Sequence, residues 1–132
     1  LKKIGLIVLF VLALSLAACG STSNSGNSGS SNNPNTITMG ASTFSANTIS
    51  IPKGSTIAFV DDQTTGAEHI LVTGKMGIFQ SQPGAPDFGG SNGHTFQPGQ
   101  AWTTPPLNTP GTYFVTCTIH PTTMNLMVTV TG

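Results

Sequence analysis

The chain has 132 residues, a formal net charge of zero, only 6 % charged residues and no arginine. Charges this sparse leave no basic footprint for nucleic acid. With three histidines and two cysteines in all, any chemistry must come from few side chains.

Read from the start, Lys2-Lys3 precedes a nearly unbroken apolar run over residues 4–16, and Ala17-Ala18 follows. This has the build of a secretory signal and is short for a membrane-spanning helix. Leu16-Ala17-Ala18-Cys19 resembles the bacterial lipobox, which implies cleavage after residue 18 and a lipid on Cys19. An ordinary signal peptide, or an uncleaved anchor, is the alternative. Residues 19–35 are almost entirely Ser, Asn, Gly and Thr, with too little to bury, and are expected to form a flexible tether. Residues 36–132 are then one small domain, long enough for a single core. Without Lys2 and Lys3 it keeps Lys53 and Lys75 against Asp61, Asp62, Glu68 and Asp87, a net charge of −2.

No helical apolar period of useful length follows residue 36. Short alternating runs broken by Gly, Pro and Asn predict an all-β domain. Strands are expected over residues 36–39, 44–51, 56–60 and 69–73, with a turn at Pro52-Lys53-Gly54-Ser55. Residues 74–93 read as a long surface loop with at most one short edge strand, and His94 as an exposed loop histidine. Thr95-Phe96 leads to a turn at Pro98-Gly99-Gln100, a strand over 101–104 and a turn at Asn108-Thr109-Pro110-Gly111. Strands 112–116 and 125–131 close the chain. Seven or eight strands in about a hundred residues fit a two-sheet Greek-key sandwich.

The loop between the last two strands carries Cys117, His120 and Met124. Extracellular thiols usually pair. A lipidated Cys19 leaves Cys117 without a partner, and a Cys19–Cys117 disulfide would tie a loose tail to a core strand. Thiolate, imidazole and thioether together suit copper: soft sulfur favours Cu(I), and imidazole serves both oxidation states. One more histidine would complete a blue-copper ligand set, and His69 is the candidate. Singly, each residue has an ordinary structural explanation: a buried thiol, a turn histidine, a surface histidine, a core methionine. In this order and strand frame they point together to a metal.

The segment Pro110-Gly111-Thr112-Tyr113-Phe114-Val115-Thr116-Cys117-Thr118-Ile119-His120-Pro121, with Met124 and Val128-Thr129-Val130 after it, resembles the plastocyanin/azurin-type cupredoxins. Ile51-Pro52-Lys53-Gly54, Ile57-Ala58-Phe59, Glu68-His69-Ile70-Leu71 and Phe96-Gln97-Pro98-Gly99 extend the likeness over most of residues 36–131. It implies one type 1 copper ion with His69, Cys117 and His120 as trigonal ligands and Met124 as the long axial one. Met127, inside a strand, is the rival axial ligand and should point away. Three residues separate His120 from Met124 where plastocyanins have four, so the subfamily stays open. Ile70 stands where plastocyanins and azurins carry an Asn that braces the Cys loop, so any brace must come from a residue such as Thr116 or Thr118.

The resemblance implies a blue-copper protein carrying single electrons between a redox donor and acceptor by transient docking. It would be a monomer outside the cytoplasmic membrane, tethered through Cys19, with His120 and Pro121 as the electron-exit surface. A copper-binding or copper-delivery protein is the alternative, and a zinc or metal-free adhesion sandwich ranks third. Enzyme activity is not expected: three histidines cannot furnish a trinuclear copper centre, and no catalytic triad can be assembled.

Overall fold

A computed structural model describes residues 32–132. The proposed signal, Cys19 and most of the tether lie outside the described residues. Among the described residues nine strands form two sheets: β1 (Thr36–Met39), β2 (Thr48–Pro52), β3 (Ala58–Asp61), β4 (His69–Lys75), β5 (Ile78–Phe79), β6 (His94–Phe96), β7 (Ala101–Thr103), β8 (Gly111–Cys117) and β9 (Asn125–Thr131). The smaller sheet has the order β1-β3-β7. The larger runs β2-β9-β8-β4-β5, with β6 also paired to β4. The chain alternates between the sheets over β1, β2, β3 and β4, and β1–β3 and β2–β9 are parallel pairs. Such crossing connections make the sandwich.

Side-chain alternation explains which faces meet. In β9, Leu126, Val128 and Val130 are buried while Met127 and Thr131 face out, the period-2 pattern of a half-buried strand. Tyr113, Val115 and Cys117 of β8 join them in one core with Ile37, Met39, Phe59 and Leu71 from both sheets. The expected turn after β2 is present: Ser55 N–H donates to Pro52 O at 3.1 Å. There Gly54 takes φ 84°, a conformation that glycine adopts without strain.

The structure differs from the sequence reading in four places. First, the count is nine strands, because β5 and β6 pair briefly with opposite ends of β4. Second, Phe44 is not in a strand. Gly40 N–H donates to Thr43 O (2.9 Å), folding the chain back so that Phe44 makes one isolated bridge to Met39. Third, the 80–93 stretch is no mere surface loop. Phe88 is buried, with its ring 5.3 Å from that of Phe59 and 5.1 Å from that of Trp102. Fourth, Asn33 and Asn35 already bond to Thr56, so the fold takes hold of the chain just before β1.

The β4–β8 pairing positions the site. Leu71 sits opposite Cys117, so His69 at the start of β4 lies at the same end of the sandwich as the loop leaving β8.

Candidate metal centre

Cys117 ends β8, is fully buried and has no disulfide partner among the described residues. Its Sγ lies 3.8 Å from Nδ1 of His69 and 3.8 Å from Nδ1 of His120. The three donor atoms all fall within 4.8 Å of one another. They come from positions 48 residues apart, brought together only by strand pairing. Trigonal donors at roughly 2.0 Å (N) and 2.3 Å (S) from one first-row ion would stand about 3.7 Å apart. The observed N···S separations of 3.8 Å therefore match a shared ion.

The tautomer of His69 follows from its other edge. Nε2 is 2.8 Å from Gly40 O, and a carbonyl oxygen can only accept, so Nε2 carries the proton. Nδ1 then presents its lone pair toward the thiol, the arrangement a ligating imidazole needs. Burial holds the His69 pKa below the ordinary histidine value, with the Gly40 bond opposing. Burial and the neighbouring His69 lower that of His120.

The loop 117–124 is held by the chain itself. Cys117 N–H donates to Met124 O (3.1 Å), and Met124 N–H donates to His120 O (3.0 Å). Thr116 Oγ1 donates to Met124 O (3.2 Å) and accepts from Gly77 N–H (2.9 Å). Thr116 is therefore a brace on this loop, while Ile70 contributes only its carbonyl, which accepts from Thr118 N–H at 2.9 Å. A second support was not legible in the sequence. The turn between β4 and β5 lies against Pro121, leaving no room for a side chain at Gly77. Asn125 ties that turn to the loop by accepting from Met76 N–H and donating to Pro121 O, both at 2.8 Å.

Met124 is fully buried, in the same apolar cluster as Cys117. Met127 is 37 % exposed, on the outward face of β9. His94 is not an exposed loop residue. It opens β6, half-buried, with its ring 5.1 Å from Trp102 and nearly parallel to it, and 4.6 Å from Phe96. His94 lies outside the His69–Cys117–His120 cluster, which is the one group of at least three potential ligands among the described residues.

Sequence reasoning missed Asp61. Adjacent acids after a strand read as an exposed turn, and Asp62 does accept from Thr64 and Thr65 N–H there. Asp61 instead is fully buried, with Oδ1 3.7 Å from His69 Nε2. Among the described residues neither of its carboxylate oxygens completes a hydrogen bond. Burial pushes its pKa up to about 6, with the Ala67 N–H leaning in to favour charge and Asp62 opposing it.

These shifts predict the pH response of the metal-free protein. His69, His94 and His120 all have lowered pKa values in the fold, against an ordinary 6.5. The unfolded chain therefore binds more protons just below that value, and stability falls as pH drops through it. Asp61 acts oppositely: its raised pKa favours the fold at low pH, and that stabilisation is lost as pH rises from about 4 through about 6. Denaturant titrations of metal-free protein should thus show stability falling from pH 7 to 6, then flattening toward pH 5. A monotonic gain on acidification would contradict the histidine assignment.

No protein-family model matches the chain, and no curated protein matches it. Solved structures do. Amicyanin from Paracoccus versutus (Thiobacillus versutus) superposes with a TM-score of 0.57 at 18 % identity, over 80 % of this chain and 89 % of that one. The reduced Cu(I) form, at pH 4, of a proline-to-glycine amicyanin mutant gives 0.58 at 15 % identity, over 80 % and 90 %. The Cu(I) form of a methionine-to-alanine mutant gives 0.58 at 16 %, with the same coverage. The fold is that of the cupredoxins.

Proposed function

We infer that this cupredoxin-fold chain is a one-electron carrier built around a single type 1 copper ion, with His69, Cys117 and His120 as trigonal ligands and Met124 as the weak axial one. The observation that carries this reading is the pair of 3.8 Å separations from Cys117 Sγ to two imidazole Nδ1 atoms, one of them with its tautomer fixed by Gly40. Bound copper would supply a Cu(II)/Cu(I) couple. The protein's part is to hold thiolate and imidazoles where both oxidation states accept them. Rigid strands and a hydrogen-bonded loop suit that task, because a site that does not move on electron transfer wastes no driving force on rearrangement. The buried thioether of Met124 favours copper over zinc, which takes harder nitrogen, oxygen or thiolate donors.

Electrons leave through the His120 and Pro121 edge. Both residues are half-buried, Ile119 beside them is 41 % exposed, and residues 118–124 carry no charged side chain. A small neutral surface of this kind suits the brief docking of a redox donor or acceptor, and the chain transforms no substrate. The protein acts as a monomer outside the cytoplasmic membrane, anchored by a lipid on Cys19. Among the described residues no helix is long and apolar enough to cross a membrane.

Adding Cu(II) to the metal-free protein is expected to give an intense visible band that saturates at one equivalent and bleaches reversibly with reductant. Copper uptake without colour would instead favour a delivery protein. A band retained when copper is replaced by zinc would sink both.

A further inference from the structure

We propose that Asp61 is a positioning residue for the copper site: a buried carboxylate behind His69 whose negative charge favours the oxidised ion and lowers the reduction potential. The proposal rests on the copper reading above. Asp61 ends β3, in the smaller sheet, yet its Oδ1 lies 3.7 Å from His69 Nε2. That is the opposite edge of the ring from Nδ1, which faces the Cys117 sulfur. The carboxylate is fully buried, and among the described residues neither oxygen completes a hydrogen bond. Among the described residues its one close approach to a basic side chain is the 3.7 Å separation from His69 Nε2.

The chain also makes room for it. A Cβ added at Gly66 would stand 2.1 Å from Asp61 Oδ1 and 2.2 Å from Asp62 O. A glycine is therefore required where the 62–66 turn passes over the carboxylate, which is seated by its neighbours. Only the Ala67 N–H leans in to favour its charge, and burying a carboxylate with so little support costs several kcal/mol in general, so its presence calls for a compensating positive charge nearby.

The donor set identifies one. Two neutral imidazoles and one thiolate sum to −1, so the site carries +1 with Cu(II) and zero with Cu(I). A carboxylate on the far edge of His69 is attracted to the first state and nearly indifferent to the second. The His69 N–H is itself donated to Gly40 O, so the carboxylate acts on the ion through its charge and not as a hydrogen-bond acceptor from the ring. In the redox step one electron arrives from the donor protein and one leaves to the acceptor. No bond is made or broken and no proton moves, so the charge difference between the states is the whole of what Asp61 senses.

The test compares wild type with Asp61→Asn, which keeps the shape and removes the charge, by spectroelectrochemical titration of the copper-loaded proteins. Thermal unfolding of the metal-free proteins runs alongside. The expected result is a blue variant whose Cu(II)-over-Cu(I) preference has fallen about tenfold, a rise of about 59 mV for a one-electron couple. Its metal-free form should melt higher at neutral pH, because an uncompensated buried charge is gone. Asp61→Ser, smaller and neutral, must move the potential the same way, which covers the case of an amide that the site does not accommodate. A blue variant with an unchanged potential overturns the proposal, as does a metal-free variant that melts lower with no change in potential. A wild-type protein that takes up no coloured copper overturns the copper reading itself, and this inference with it.

Discussion

Replacing Cys117 by Ser is expected to abolish the visible band and electron transfer while leaving the fold intact. The sulfur is the one donor within 3.8 Å of both imidazole Nδ1 atoms, and it alone can supply a soft anion. A serine hydroxyl stays protonated at neutral pH and offers hard oxygen, a poor partner for Cu(I). Copper affinity should fall by more than the roughly 10–100-fold that loss of an outer-shell partner costs, as read by competition with a chelator. Cys117 is also fully buried, so a hydroxyl there should destabilise the metal-free protein by about 1–3 kcal/mol. That is small enough for a folded variant, and a thermal melt separates lost ligation from lost structure. A folded variant that stays blue would end the assignment.

Phe59→Ala is expected to be the most damaging single change to the fold, at about 3–5 kcal/mol in urea unfolding. Phe59 is fully exposed to the core and not at all to solvent. Its ring meets Phe88 at 5.3 Å and Phe44 at 6.4 Å, both edge-on. In the smaller sheet it pairs with Ile37 on one side and Trp102 on the other. Truncation leaves a cavity at the centre of the sandwich and unseats Phe88, the apolar anchor of the 80–93 segment. Small domains hold only about 5–15 kcal/mol in total, so this is a large share. Met127→Ala on the outer face of β9 should stay within about 0.5 kcal/mol. A Phe59→Ala loss below about 1 kcal/mol would mean that the core is not organised around this ring.

Local pattern carried much of this architecture. The alternation in 125–131 marks the buried face of β9 because side chains on a strand point to opposite faces in turn. The same rule put Met127 outside, where the structure has it. Pro52 and Gly54 located the turn after β2, and the strand-like runs on either side located the loop between β8 and β9. Composition misled over residues 80–93: proline and glycine signal irregular backbone, but an irregular segment can still plant one aromatic ring in the core. The pattern also failed at Phe44, where the turn begun by Gly40 takes the chain out of the sheet.

Which residues can serve as donors, that three of them share one short loop, and that the domain is a β sandwich were all legible along the chain. Each of those is a matter of residue chemistry or of periodicity within a few positions. That His69 meets Cys117 across the β4–β8 pairing, that Gly40 sets the tautomer of His69, and that Asp61 is buried behind it all depend on how the strands come together. Contacts between distant segments depend on which strands pair and in what register, and that is fixed by burial of the whole core rather than by any short run of residues.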